Sequence, residues 1–189
     1  LADGTILPEG KYPMTFATAV EGLTVTRANT AEGQWTEGDA IAVQVGGDVR
    51  QYTPAAGGSS SATLQAASGI ETLYWQSTAD ISVSAWYYGT GYSIIPPDGT
   101  SWAVQSDQSG DGYQKSDFLY APATTISFAN RGSASLTFYH QTAKVVINIV
   151  KADAAIDAEQ IQSVTIGNNN LALSGVYAAP GTGQTAGTW

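Results

Sequence analysis

The chain carries one histidine, His140, and no cysteine among its 189 residues. Those two facts restrict its side-chain chemistry. Without a thiol there is no cysteine nucleophile, no thiolate zinc site and no disulfide framework. A Ser-His-Asp hydrolase would have to use His140, and no Gly-x-Ser-x-Gly turn is present to offer it a serine. His140 ends the aromatic run Leu136-Thr137-Phe138-Tyr139, so a ring hydrogen-bonded at a strand end is the expected role. Zinc centres usually take several His or Cys ligands, more than this chain can supply. Asp107-Gln108-Ser109-Gly110-Asp111-Gly112 resembles the opening of a calcium loop, with oxygens at positions one, three and five and glycine at six. Position nine is Lys115, and position twelve, where a bidentate Glu is required, is Phe118. A polar turn is the expectation there, with no metal. The 16 acids lie mostly in turn-rich stretches, as at Asp39, Asp48, Asp98 and Asp117, and nothing selects a pair for glycoside hydrolysis. The chain is read as a non-enzyme with no cofactor.

Aromatic residues are dense through the middle: Trp75, Trp86, Tyr87, Tyr88, Tyr92, Trp102 and Tyr113. Exposed, Trp86 and Trp102 could form a platform on which a sugar or host ligand stacks. Core is the commoner fate of such rings. The formal charge of −9 and the seven scattered Lys and Arg exclude a nucleic-acid footprint, which needs a basic patch. An anionic membrane surface would repel the chain for the same reason.

The elements that must position these residues are strands. Charged residues are 12% of the chain and Gly numbers 21, so ion-pair-rich helices of the Leu/Glu/Lys type are not available. Period-2 runs dominate. In Met14-Thr15-Phe16-Ala17-Thr18-Ala19-Val20, one face carries Met14, Phe16 and Thr18. Ile41-Ala42-Val43-Gln44-Val45 alternates and then meets Gly46-Gly47-Asp48, a plausible hairpin turn into Val49-Arg50-Gln51-Tyr52. Ile81 to Tyr88 alternates most cleanly. Leu136 to His140 and Val145 to Val150 read as long core strands joined by a short connection. Ile161 to Ile166 and Leu171 to Tyr177 supply the last two runs. Only Ala152 to Glu159 could form a short helix. Turn-rich stretches such as Pro54 to Ser61 and Pro96-Pro97-Asp98-Gly99 separate the runs. Strands at such spacing predict an all-β sandwich or barrel of about seven or more strands with long loops. It would span residues 1–177, with the Gly/Thr-rich 178–189 as a tail or linker toward a second domain.

Several segments, taken in order, resemble the fimbrillin family of Bacteroides-type bacteria, the pilins and accessory subunits of surface fimbriae. They are Pro13-Met14-Thr15-Phe16, Trp35-Thr36-Glu37-Gly38-Asp39-Ala40-Ile41, Ser116-Asp117-Phe118-Leu119-Tyr120-Ala121, Leu136 through His140-Gln141-Thr142-Ala143-Lys144, and Gly175-Val176-Tyr177. The resemblance implies a transthyretin-like β-sandwich, the N-terminal half of a two-domain subunit. Family members are exported as lipoproteins to the outer membrane, and a trypsin-like protease cuts them after an Arg that follows the first strand. A strand from another subunit then fills the groove. The matching position here is Arg27, before Ala28. The lipid-bearing Cys of the family is not in this sequence.

The reading that follows is a structural and adhesive fimbrial subunit whose partners are other subunits, a processing protease and a host protein or glycan. The alternative is a surface lipoprotein that binds glycans or host ligands through Trp86 and Trp102. A hydrolase ranks third, for want of a carboxylate pair.

Overall fold

A computed structural model describes residues 4–21, 33–148, 150, 161–167 and 171–189. Among them are nine strands, one short α-helix and a 3-10 helix over Phe128–Ser133: β1 Phe16–Glu21, β2 Ile41–Val45, β3 Asp48–Pro54, β4 Ser61–Ala66, β5 Ile81–Tyr88, β6 Ser101–Ala103, α1 Gly112–Lys115, β7 Phe118–Ile126, β8 Ser135–His140 and β9 Ser174–Val176. Seven of the strands close on themselves in the order β1-β4-β3-β2-β5-β7-β8, and β6 and β9 form a separate two-stranded sheet. The all-β expectation of about seven or more strands holds.

Alternation decides which side chains go inside. Phe16, Ile41, Val43, Tyr52, Leu64, Val83, Ala85, Leu119, Leu136 and Phe138 fill the interior of the closed sheet. The intervening residues of β2, β5 and β7, among them Ala42, Trp86, Tyr88 and Phe118, form a second apolar cluster with Tyr177, and Trp102 packs against it. The β5 end is thus buried on both faces, which explains why Trp86-Tyr87-Tyr88 carries no small polar residue. The hairpin expected at residues 46–48 joins β2 to β3, with Val45 opposite Asp48. Gly46 has φ +59, a left-handed conformation that glycine adopts without a Cβ penalty.

Three expected strands do not form as read. Val145, Val146, Ile147 and Val150 belong to no ladder and are exposed, and the same holds for Ile161, Val164, Ile166, Leu171 and Leu173. Of the last run only Ser174–Val176 is a strand. The reason lies in closure: β8 already pairs with β1 on one side and with β7 on the other. The run that follows β8 therefore finds no free neighbour in the barrel. The helix expected at residues 152–159 lies outside the described residues.

The Gly/Thr-rich stretch after Tyr177 folds back on the barrel. Ala178 and Thr188 exchange two backbone hydrogen bonds of 2.8 and 3.0 Å. Gln141, just past β8, holds the returning chain: its Oε1 accepts from Tyr177 Oη at 2.8 Å and from Gly187 N at 2.9 Å. Its Nε2 donates to the carbonyl of Thr185 at 3.0 Å. Trp189 packs edge-on to Tyr177 and Phe118, and its Nε1 donates to the Gln141 carbonyl.

Candidate functional site

The first strand is hydrogen-bonded on both sides within the closed sheet. β1 pairs antiparallel with β4, Phe16 opposite Leu64 and Ala19 opposite Ser61. On its other side it pairs parallel with β8, from Ala17 opposite Ser135 to Glu21 opposite Tyr139. Taking β1 away would therefore leave two unpaired edges facing each other across one strand's width, about 10 Å at the usual spacing of 4.7–4.9 Å.

Side chains on its inner face fill the interior, as the alternation predicted. Met14, Phe16 and Thr18 are 3%, 1% and 2% exposed. Phe16 stands edge-on to Tyr52 at 5.8 Å. The Thr18 hydroxyl donates to the Ala62 carbonyl at 3.2 Å, so this polar group sits inside without an orphaned donor. Tyr52 Oη donates to the Met14 carbonyl and accepts from Leu73 N, tying the lead-in of β1 to the residues before Trp75. Burying Met14 and Phe16 stabilises the closed sheet by roughly 1.5–3 kcal/mol each. The chain after Glu21 carries Arg27 and Ala28, and both lie outside the described residues.

The structure corrects the platform expectation at Trp86. That ring is 1% exposed, and its Nε1 donates to the Ser93 carbonyl at 2.9 Å in the loop that covers it. Trp102 is half-buried. It stacks on Tyr88 with centroids 5.2 Å apart and packs against Phe118 at 5.5 Å. Both rings serve the outer cluster under the β6–β9 sheet.

His140 ends β8, as expected, with Nδ1 2.8 Å from Asp117 Oδ1. In the calcium-like loop, Asp107 Oδ1 accepts from N and Oγ of Ser109. These hydrogen bonds hold its carboxyl below the usual range. Asp111 pairs with Lys115 at 2.7 Å. The loop thus spends its carboxylates on its own turn and on the one-turn helix α1.

The sequence reading missed Gln141 as a distinct functional element. It appeared only inside the His-x-x-Ala-Lys segment, and its four hydrogen bonds with Tyr177, Thr185, Gly187 and Trp189 depend on a fold-back that periodicity does not reveal.

Three comparisons bear on this geometry. A family model described as fimbrillin-like matches residues 26–188. No curated protein matches the chain. Among solved structures, a candidate cell adhesion protein from Bacteroides uniformis aligns with a TM-score of 0.46 and 19% identity, covering 71% of this chain and 49% of that one. The chain thus spans about half the length of that protein.

Proposed function

The chain belongs to the fimbrillin-like family, and on that premise we propose that it is a structural and adhesive subunit of bacterial surface fimbriae. In this reading a trypsin-like protease cuts between Arg27 and Ala28, β1 leaves, and a strand from a partner subunit takes its place. The full-length subunit would reach the outer membrane as a lipoprotein, with other subunits as its partners and a host protein or glycan as its target.

The position of β1 is the observation that supports this mechanism. Both of its edges are hydrogen-bonded, and its inner face carries Met14, Phe16 and Thr18. An incoming strand would recover the main-chain hydrogen bonds and place alternate side chains in the same positions, which gives affinity and register together. The strand's departure has a cost as well. It would expose the side chains around Leu64, Leu136 and Phe138, all fully buried in the closed sheet, so the open subunit is driven to refill the gap.

Limited trypsin digestion of the native chain tests the mechanism. The expected result is a cut after Arg27, followed by chains that associate end to end. An Arg27→Ala variant should remain uncut there and gain no association from the protease treatment. A protease-dependent gain that is equal in that variant, or a cut chain that keeps β1 and never gains association, would reject the mechanism.

A further inference from the structure

At the end of the barrel where β1 finishes, Asp39, Tyr87 and Asp117 border a small cavity, and His140 holds Asp117 from behind. Asp39, in the loop before β2, accepts from Thr36 N at 2.7 Å through Oδ2 and from Tyr87 Oη at 3.3 Å through Oδ1. Asp117, just before β7, is held by His140 Nδ1 at 2.8 Å, and the two side chains are 11% and 12% exposed. The Nδ1–H tautomer of His140 satisfies that contact, while Nε2 is buried without a partner. A cavity of about 10 Å³ is bordered by Val20, Trp35, Asp39, Tyr87 and Asp117, room for about one water molecule. Trp35 is 2% exposed, and its indole Nε1–H is buried without an acceptor. The cavity's other polar neighbours, Gln34 and Gln114, are neutral, and no Lys or Arg lines it.

Two carboxylates therefore approach one half-buried phenol, and His140 is the one group in this cluster able to carry positive charge. We propose that Asp39, Tyr87, Asp117 and His140 form a proton-sensitive latch in which Asp39 takes up the proton. Asp117 is committed as acceptor to His140, whereas Asp39 has only neutral donors. Burial, with repulsion from Asp117 added to it, outweighs those donors and pushes the Asp39 carboxyl up. A carboxyl raised in the folded state contributes stability that is fully present below its unfolded value and is lost as pH rises through its folded value. Acidification from neutral pH thus removes the like charge across Tyr87 and tightens this end of the barrel. The latch joins the Trp35–Asp39 loop to β5, β7 and β8, and Val20 of β1 borders the same cavity. The end of β1 is held most firmly in acid, whether or not the strand is ever removed.

The test uses the intact, uncut chain. The Trp35 indole N–H resonance, assigned with Trp35→Phe, is followed against pH. It is expected to titrate once, with a midpoint above the ordinary Asp value of about 3.9, and to lose that step in Asp39→Asn. The urea midpoint of Asp39→Asn should shift less than that of the native chain between pH 7.5 and the midpoint of the indole step, while the exposed control Asp48→Asn keeps the native shift. Asp117→Asn should lower the midpoint of the indole step, since the repelling charge is gone. The latch is refuted by a flat indole resonance in the native chain, by an unchanged step in Asp39→Asn, or by a midpoint that ignores Asp117→Asn.

Discussion

The phenols of Tyr87, Tyr88 and Tyr177 lie where a negative charge would be poorly solvated. Burial pushes Tyr88 up to about 12, and it raises Tyr87 and Tyr177 as well, the former with help from Asp39 and Asp117. A tyrosine raised in the folded state supports the fold fully below its unfolded value, about 10, and that support is lost as pH climbs through the folded value. Alkaline titration followed by phenolate absorbance should therefore split into two stages. The most exposed rings ionise first, and the buried ones follow only as the fold opens at higher pH. A single wave near pH 10 with the fold intact, covering all 10 tyrosines, would show that these rings are not sealed in. Residue identity made this fate legible only in part. Trp86 and Tyr88 stand one apart from Tyr87 on an alternating strand, so sequence could place them on the opposite face. That face is covered by the loop that follows β5, whose Ser93 and Ile95 carbonyls take the polar tips, and by the distant Tyr177, which packs on the rings; alternation carries none of that information.

Among the elements, the strands whose neighbours follow closely in the chain were the most legible. β2 and β5 were read with their observed bounds, and the β2–β3 turn was read from its glycines, because alternation and turn chemistry are local properties. β7 was not read as a strand: Phe118-Leu119-Tyr120-Ala121 is buried on both faces, and Pro122 interrupts any alternation. Val145 to Val150 failed for the opposite reason. Its pattern is that of a strand, but pairing is decided by which edges remain free, and β1 and β7 had taken them. The C-terminal stretch was read from composition as a tail or linker, and its fold-back, which composition does not show, centres on Gln141. Gln141→Ala would leave Tyr177 Oη and Gly187 N without their acceptor and Thr185 without its donor. An orphaned buried partner costs about 1–3 kcal/mol, so the urea midpoint should fall and residues 178–189 should become the first segment cut by a nonspecific protease. A midpoint equal to that of the native chain would mean that ring packing and the backbone hydrogen bonds hold the fold-back without the Gln141 side chain. Gly187 adds a second control point, since a Cβ there would lie 2.4 Å from the Tyr177 ring.

At the scale of the whole molecule, two surfaces stand in contrast. The barrel hides its apolar side chains almost completely, with Ile41, Val43, Leu64, Val83 and Leu136 at 0% exposure. The stretch after β8 does the reverse: Val145 and Val146 are 65% and 64% exposed, and Val164 and Ile166 are 55% and 51% exposed. An exposed apolar stretch of strand-forming residues favours association with other chains, because covering it removes apolar area from water and pairs free main-chain groups. The net charge of −9 opposes such contact by long-range repulsion, and salt screens that repulsion, with a Debye length of about 8 Å at physiological ionic strength. Two consequences follow for the intact chain in solution. Self-association should grow with concentration and with added salt, as read by sedimentation. The paired substitution Val146→Lys with Val164→Lys should suppress it while leaving the urea midpoint within about 0.5 kcal/mol of native, since neither side chain is buried. Suppression accompanied by a large loss of stability would place these residues in a hidden core instead. Association that weakens with salt would make charge, and not apolar surface, the force that joins the chains.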